Sequence, residues 1–202
     1  MLPAVWDLFE THVFPAASTD ELFNPYRDRR DDLRRYLSCF DEPPRLFLLL
    51  EAPGPWGCRF SGVPVTSEAQ LTDPDFPIGG TATSQKDVPI TEYSASIFWR
   101  VLQPHFPHFF VWNSLPLHPH DPDDPLSIRT PRRSEVRDWH DLLRALLDTL
   151  DPDRTVGVGR KGERALDEVG ADPTYVRHPS QGGANKFETG MKSIVAEMDL
   201  GT

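Results

Sequence analysis

The sequence has few cysteines and no long apolar segment. Only two of its 202 residues are cysteine, Cys39 and Cys58, which excludes a four-cysteine zinc or iron–sulfur site and a disulfide framework. We expect both thiols to be reduced, because the N-terminus carries neither the positive segment nor the apolar core of an export signal. No apolar run reaches the roughly 18 residues that a membrane span needs, so we expect a cytoplasmic location and no membrane partner.

Positive charge is also scarce. The 21 lysines and arginines are outnumbered by 31 aspartates and glutamates, and the formal net charge is -10. This balance argues against broad electrostatic binding to nucleic acid, but it allows a local basic groove, because binding depends on a patch rather than on the sum. The length predicts one domain, residues 1–202, with N-terminal helices in 1–42 and the core in 43–202.

Four short apolar runs predict β-strands. They are Arg45–Leu50, His108–Trp112, Thr155–Val158 and Tyr175–Val176. The apolarity of these runs is continuous rather than alternating, which is typical of parallel strands buried on both faces.

Helical patterns lie before and between these runs. The predicted helices are Asn24–Leu37, Glu92–Leu102 with Thr91 as its cap, Pro131–Leu150 with Thr130 as its cap, and Gly183–Met198. Strands that alternate with helices predict a three-layer α/β/α domain with a mostly parallel sheet.

Polar residues lie at the carboxyl ends of three of the predicted strands, within two residues of the last apolar position. They are Glu51, Asn113 and His178, and ligands of such folds bind where the carboxyl ends of the strands meet. Glu51 is either a general base or water-positioning group, or the cap of a turn. Asn113 either reads a pyrimidine edge with its amide or fixes the next loop. His178 either donates to a developing oxyanion or ends the strand.

Glycines near these residues suit a flat or anionic ligand. Gly54 and Gly57 either let the backbone approach a flat ligand or simply form a turn. Ser180 and the amides of Gly182 and Gly183 either hold a phosphate at the start of a helix or cap that helix.

Two further motifs are weaker. The turn Gly157–Gly159 lacks the full glycine fingerprint of a dinucleotide loop, so we interpret it as a close strand-to-helix turn whose Arg160 and Lys161 face a backbone phosphate. His118 and His120 precede an acidic loop, but their spacing matches no distinct ligand pattern. We therefore predict no metal and no cofactor.

Four sequence blocks, in order, resemble the uracil-DNA glycosylase superfamily. They are EAPGPWGCRFSGVPVTSE (Glu51–Glu68), VWNSLPL around Asn113, VGVGRKGERAL (Val156–Leu166) and HPSQGGANKF (His178–Phe187). The glycine–proline elements of the first block are most like the single-strand-selective monofunctional branch. The resemblance covers about positions 45 to 195 and implies a three-layer α/β/α sandwich with a central four-stranded parallel sheet, as a monomer.

The resemblance implies a monofunctional glycosylase of base excision repair. Such an enzyme hydrolyses the N-glycosidic bond of uracil or a related damaged base flipped out of DNA, in a prokaryote at the nucleoid. Asn113 would pair with the base, His178 would stabilise charge on the departing base, and Glu51 would position water or stabilise the cationic sugar. Contacts to DNA are expected from Ser180, Gln181, Gly182, Gly183, Lys186 and Arg160. No lysine occupies an evident nucleophile position, so we expect no strand cleavage.

Three positions depart from the family pattern. Ala52 stands where most members have Asp or Asn. Val65 stands where a phenylalanine commonly stacks on the base, so Trp56 or Phe60 would have to replace that ring. Gly54 replaces the bulky residue that excludes a 5-methyl group, which predicts a roomier pocket that accepts 5-substituted uracils.

Two other functions remain open. A non-catalytic binder of DNA or of a free base is favoured by Ala52, Val65 and the negative net charge. A nucleotide- or nucleoside-processing enzyme would use the same crevice and bind DNA weakly. A salt titration distinguishes them, since phosphate contacts make affinity fall steeply with salt.

Overall fold

A four-stranded parallel sheet forms the centre of the protein, in a computed structural model that describes residues 1–201. The strands of this part of the chain are β1 (Leu22–Phe23), β2 (Leu46–Leu50), β3 (Phe109–Asn113), β4 (His118–Pro119), β5 (Arg154–Val158) and β6 (Thr174–Val176). The parallel sheet has the order β3-β2-β5-β6, and β1 and β4 form a separate antiparallel pair. The four strands predicted from the apolar runs are confirmed, each end within one residue.

Helices cover both faces of this sheet and make a three-layer α/β/α sandwich. The α-helices are α1 (Pro3–Leu8), α2 (Pro25–Asp28), α3 (Arg30–Ser38), α4 (Cys58–Ser61), α5 (Glu68–Leu71), α6 (Tyr93–Leu102), α7 (Arg133–Arg137), α8 (His140–Leu150), α9 (Arg160–Glu168) and α10 (Ala184–Glu197). A π-helical turn, Phe9–Val13, follows α1, and a 3₁₀ turn, Gln103–His105, follows α6. Within residues 1–201, no helix combines the length and the apolarity that crossing a bilayer demands.

Aromatic side chains fill the space between the sheet and its helices. Every residue of β2 and β3 is buried. On one face Phe109 contacts Phe98 of α6, with ring centroids 5.9 Å apart, and Phe98 stacks on Phe187 of α10 at 5.7 Å. The next residue, Phe110, points to the other face and contacts Tyr36 of α3 at 5.5 Å. Because each buried ring stabilises the fold by about 1.5–3 kcal/mol, these contacts hold the sheet firmly between its two helical layers.

The prediction of one helix from Pro131 to Leu150 is wrong. Helix α7 begins only after Arg132, whose backbone N–H donates to the carboxylate of Glu135 (2.7 Å), so Thr130 does not cap it. The chain then leaves the helical conformation at Trp139, with φ -106° and ψ 4°, before α8 begins. The spacing of the apolar residues continues across this break, and the sequence pattern therefore conceals it.

The helix predicted from Asn24 to Leu37 is also divided. Asn24 caps its start as expected, because its side-chain oxygen accepts hydrogen bonds from the backbone of Tyr26 (3.1 Å) and Arg27 (3.2 Å). Arg29, with φ -121° and ψ 35°, separates α2 from α3. Its side chain donates to the carbonyl oxygen of Phe60 (2.9 Å), a contact between distant segments that no local pattern encodes.

The other two predicted helices are confirmed as α6 and α10. Their ends differ from the prediction by at most one residue. The residue that precedes α6 is Glu92 rather than Thr91, and this shift places a carboxylate at the functional edge of the sheet.

Two glycines allow α9 to lie directly on the strands. A Cβ atom on Gly157 would overlap the backbone of Glu163, and one on Gly162 would overlap the carbonyl oxygen of Leu49. This contact confirms that the segment after β5 is a close strand-to-helix turn. It also fixes where the first turn of α9 meets the end of β2.

The substitution Gly162→Ala is expected to lower the free energy of unfolding by about 3 kcal/mol, because backbone atoms must move to admit the new methyl group. Gly190→Ala is the matched control, since its Cβ would meet only the methyl groups of Val176, at 3.2 Å, in a helix that favours alanine. We expect the control to change stability by less than about 1 kcal/mol. Urea denaturation of both variants measures the difference, and equal losses would contradict this account of α9.

Candidate active site

A cavity of about 620 Å³ opens at the edge of the sheet where the parallel strands end. Its wall includes the last residues of three strands, Leu50, Asn113 and Val158, and also His178, which follows β6. The prediction that the loops after the strands gather at one edge is confirmed. Ligands of open α/β sheets bind in this place.

Glu51 lies on the cavity wall directly after β2. The backbone carbonyl oxygen of Glu51 accepts hydrogen bonds from the hydroxyl of Ser114 (2.8 Å) and the N–H of Leu115 (3.0 Å), so the loops after β2 and β3 are joined. The Glu51 carboxylate is 3.5 Å from the ammonium group of Lys161, and both side chains are about 40% exposed. An ion pair this exposed contributes less than about 1 kcal/mol. The sequence predicts that Lys161 faces a backbone phosphate, and it does not predict this ion pair with Glu51.

Asn113 is almost fully buried at the end of β3, and a second side chain fixes its amide. Its Nδ2 donates to the hydroxyl of Tyr26 (3.0 Å), which also accepts from the thiol of Cys58 (3.4 Å). Burial raises the pKa of Tyr26 well above its usual value, so the phenol stays protonated. The second N–H and the carbonyl oxygen of the Asn113 amide are left to bind a ligand.

His178 has a defined tautomer. Its Nδ1 accepts hydrogen bonds from the backbone N–H of Ser180 (3.2 Å) and from the Ser180 hydroxyl (2.8 Å). Because a backbone N–H only donates, the proton of the neutral ring is on Nε2. Burial, together with the charge of Arg177, lowers the pKa of His178 to about 4, so the ring is neutral at neutral pH. The hydroxyl of Ser180, expected to bind a phosphate, is bonded to His178 instead.

The loop after His178 has an exposed tip. Gln181 and Gly182 are exposed and have φ values of +50° and +74°, and Gln181 borders the cavity. The N–H of Gly183 donates to the carbonyl oxygen of Ser180 (3.0 Å) at the start of α10. This corrects the expectation that the Gly183 amide is free for a phosphate, because the turn itself uses it.

Two cations expected to contact DNA occupy different places. Arg160 lies on the cavity wall, where it forms an ion pair with Glu163 (2.8 Å) and its guanidinium lies 3.9 Å from the ring centre of Tyr175. Lys186 is exposed on the first turn of α10 and lies outside the cavity wall.

Some of the residues expected to contact a flat ligand line the cavity, and one does not. Trp56 is 42% exposed on the cavity wall. Val65 also lies there, with φ +48°, a left-handed conformation that is strained for a β-branched residue. Phe60 does not reach the cavity, because its ring packs beside the guanidinium of Arg59 at 5.1 Å. Trp56 is placed to stack on a ligand, and Tyr93, the residue after Glu92, is a second aromatic residue of the cavity wall.

Glu92 is a further carboxylate on the cavity wall, and sequence reasoning missed it. Its two carboxylate oxygens lie where Cβ atoms would stand on Gly54 and Gly57. The expectation that Gly54 makes the pocket roomier is therefore corrected, because Glu92 fills the space that the glycine leaves. Burial raises the pKa of Glu92 to about 7.

The loop that leads to Glu92 is held by the buried carboxylate of Glu68. This carboxylate accepts hydrogen bonds from the backbone N–H and hydroxyl groups of both Thr83 and Ser84, and from the N–H of Ile90 (3.2 Å). Burial alone would raise the pKa of Glu68, but the hydrogen bonds from Ser84 and Thr83 lower it to about 2. This network fixes the loop that contains Thr83, Ser84 and Ile90, and through this loop it positions Glu92 on the cavity wall.

Within residues 1–201, no three His, Cys, Asp or Glu side chains are grouped so that they could hold a metal ion. His118 Nδ1 donates to the carbonyl oxygen of Pro53 (2.8 Å), and its ring stacks on that of His120 with centroids 5.7 Å apart. This pair supports the loop after β2.

Comparison with known proteins identifies a relative in fold. A crystal structure of wild-type SMUG2 from Pedobacter heparinus superposes with a TM-score of 0.65, covering 95% of this chain and 98% of that chain at 15% sequence identity. The two proteins share their fold. No family model and no curated protein sequence matches the chain. The resemblance that the sequence motifs indicate is thus supported at the level of the whole fold.

The substitution Glu68→Gln is expected to lower the free energy of unfolding at neutral pH by about 2 kcal/mol, because it removes charge-assisted hydrogen bonds. The folded-state pKa of Glu68, about 2, is below the usual value of 4.5 for a glutamate. Glu68 therefore stabilises the fold above about pH 4.5, and this stabilisation is lost as the pH falls towards about 2. The variant should lack that part of the pH dependence.

Urea denaturation at several pH values measures this effect. Glu188→Gln, which alters surface ion pairs with Lys192 and Arg100, is the control and should change stability by less than about 1 kcal/mol. A Glu68 variant as stable as the control would contradict the role given to this network.

Proposed function

We propose that the protein is a monofunctional DNA glycosylase that hydrolyses the N-glycosidic bond of uracil, or of a related deaminated base, after the base has flipped out of DNA. One observation carries the proposal: an amide, a neutral imidazole and a carboxylate, from Asn113, His178 and Glu51, line one cavity at the strand ends. The shared fold with SMUG2 supports it. The expected role is in base excision repair.

The amide of Asn113 is suited to reading the base. A base reaches such a cavity only after leaving the helical stack. Uracil presents adjacent carbonyl and N–H groups, which match the free N–H and carbonyl oxygen of the amide. Tyr26 accepts from Nδ2, and in this arrangement the second N–H and the carbonyl oxygen of the amide are left for the base. Trp56 and Tyr93 are the aromatic rings of the cavity wall, and of these we assign stacking to Trp56.

In the proposed reaction His178 acts on the departing base, and Glu51 acts on the sugar and the attacking water. The bond between C1′ and the base nitrogen breaks, and its electron pair leaves with the base, which becomes an anion. The Nε2–H of His178 donates to the base oxygen where this charge develops. The Glu51 carboxylate stabilises the positive charge on the sugar and accepts the proton of the water that adds to C1′. Ala52 offers no polar group, so this role falls to its neighbour.

The surroundings of the cavity suit a local contact with DNA despite the negative net charge. The wall carries four cations, Arg129, Arg160, Lys161 and Arg177. Arg129 and Arg160 form ion pairs with Glu135 and Glu163, each at 2.8 Å. Because part of the positive charge is already paired, we expect fewer phosphate contacts, and so a lower affinity for DNA, than the four cations alone suggest. The proposed partner is DNA that contains a damaged base, bound by a monomer.

A non-catalytic binder of flipped bases is the second candidate. Ala52 favours it, because its methyl group lies on the cavity wall beside Glu51 and offers no further group to orient water. The two candidates differ in one result, since a binder recognises the damaged base without releasing it.

Single-turnover release from oligonucleotides that contain uracil, single-stranded and paired, tests the proposal. We expect release by the natural protein and a loss of about a hundredfold or more in Glu51→Gln, because the amide cannot accept the proton of water. Asp167→Asn, an exposed change on α9 outside the cavity, is the control and should keep full activity. A folded protein that binds such DNA but releases nothing would favour the binder.

The substitution Tyr26→Phe tests how the base is read. It removes the hydroxyl that accepts from Asn113, and we expect about a tenfold slower release of uracil together with weaker rejection of cytosine. Tyr36→Phe is the matched control, because the hydroxyl of Tyr36 is equally buried and accepts from the N–H of Val111 in the same strand (2.8 Å). Equal effects of the two changes on release would contradict a specific role for Tyr26.

A further inference from the structure

The carboxyl group of Glu92 lies in the cavity but has no partner in the protein. Glu92 stands immediately before α6, at the end of the loop that Glu68 holds. Among residues 1–201, no side chain or backbone N–H donates a hydrogen bond to its carboxylate, although this group is packed against the backbone of Gly54 and Gly57. Every other acidic side chain used in the site has a partner: Glu51 contacts Lys161, and Glu68 accepts bonds from its loop.

The position of this carboxyl group depends on the two glycines. Any side chain on Gly54 or Gly57 would overlap it. The segment after β2 and the residue before α6 therefore fit together to present an acid to the interior of the cavity. Glu51 and Glu92 are the acidic residues of the described cavity wall, and Glu51 already has a role next to the sugar.

A polar group that is withdrawn from water without a partner is costly. When a base fills the cavity and displaces water, the carboxyl group of Glu92 either gains a hydrogen bond from the base or loses its solvation. A base with a carbonyl, hydroxyl or N–H group at this wall supplies that bond. Thymine has the same carbonyl and N–H groups as uracil, but its 5-methyl group stands next to the C4 carbonyl and would displace water from the carboxyl group without bonding to it.

We propose that Glu92 is a specificity-determining residue of the cavity, which hydrogen-bonds a polar group of the bound base and disfavours bases that present a methyl group to it. The proposal rests on the proposed glycosylase function and names the class of base that the site accepts. Glu92 would accept a hydrogen atom or a polar group beside the carbonyl that it bonds and disfavour a methyl group at that place.

The protonation state of Glu92 adds a measurable signature. Burial raises the pKa of Glu92 to about 7. Below that pH the carboxyl group donates to a carbonyl oxygen, and above it the carboxylate accepts from an N–H or O–H group. Cys58, on α4, also faces Glu92 and is neutral, because burial raises its pKa. The charged or titratable groups on the rest of the cavity wall are Glu51, Tyr93, Arg129, Arg160, Lys161, Arg177 and His178.

The test compares Glu92→Ala and Glu92→Gln with the natural protein. Single-turnover release is measured for uracil, thymine, 5-hydroxymethyluracil and hypoxanthine in the same oligonucleotide. We expect Glu92→Ala to raise the ratio of thymine to uracil release at least about tenfold, because the methyl group no longer meets a carboxyl group. Glu92→Gln should keep the rejection of thymine and lose the change in relative rates around pH 7.

A change that slows all four bases alike, with ratios unaltered, would overturn the proposal, since that is what a purely structural role for Glu92 produces. Thermal melting of each variant confirms that it is folded. Glu92→Gln also preserves the shape of the side chain if Glu92→Ala is unstable.

Binding measurements separate this proposal from the proposed function. Oligonucleotides with a 2′-fluoro sugar resist hydrolysis, and their affinities for the natural protein and Glu92→Ala are compared with uracil and with thymine. If no base is released but the preference for uracil still depends on Glu92, the glycosylase assignment fails and the specificity role stands. If the natural protein does not distinguish uracil from thymine by binding or by release, the specificity role fails.

Discussion

Pairing of the central strand β2 with β3 on one side and β5 on the other determines where the functional residues lie. In this register Leu50 is opposite Asn113, and Leu49 is opposite Gly157. Glu51 and Asn113 are thus brought to the same edge by backbone hydrogen bonds rather than by side-chain contacts. A shift of one residue would turn the buried apolar side chains to the wrong faces, so the packing of both helical layers protects the geometry of the site.

Around this frame, the site is built from polar groups whose bonding capacity is only partly used inside the protein. The hydroxyl of Tyr26 accepts a hydrogen bond from one N–H of Asn113, and the hydroxyl of Ser180 donates one to Nδ1 of His178. Each of these contacts orients a side chain and leaves its remaining group to face the cavity. Glu92 is the extreme case, because the protein supplies it with no hydrogen-bond donor in the described residues. The free energy that such groups lose in a dry cavity is recovered only with a ligand of matching polarity.

The sequence alone predicts the parts of this structure that depend on local pattern. Continuous apolar runs locate the strands, and the residues that end them, Glu51, Asn113 and His178, follow from the strand ends. The breaks at Arg29 and Trp139 are not predictable in this way, because the apolar spacing continues across them.

The supporting residues were missed for a related reason. Tyr26, Glu68 and Glu92 act through contacts with segments far from them in the chain. Tyr26 and Glu92 belong to no recognisable motif, and the block that Glu68 ends does not indicate its role. Gly54 illustrates the consequence: the sequence indicates an open space beside it, and a distant side chain fills that space. Which of Trp56 and Phe60 can stack on a base likewise depends on the direction of each side chain, and the local sequence pattern does not determine that direction.

The most direct test of the central claim is a crystal structure of the protein with DNA that carries 2′-fluorodeoxyuridine. The account predicts that the uracil lies in the cavity, with the Asn113 amide and the Nε2 of His178 each about 3 Å from its polar atoms and with Glu51 facing C1′. A uracil that remains stacked in the DNA, or one bound with its sugar turned away from Glu51, would contradict it.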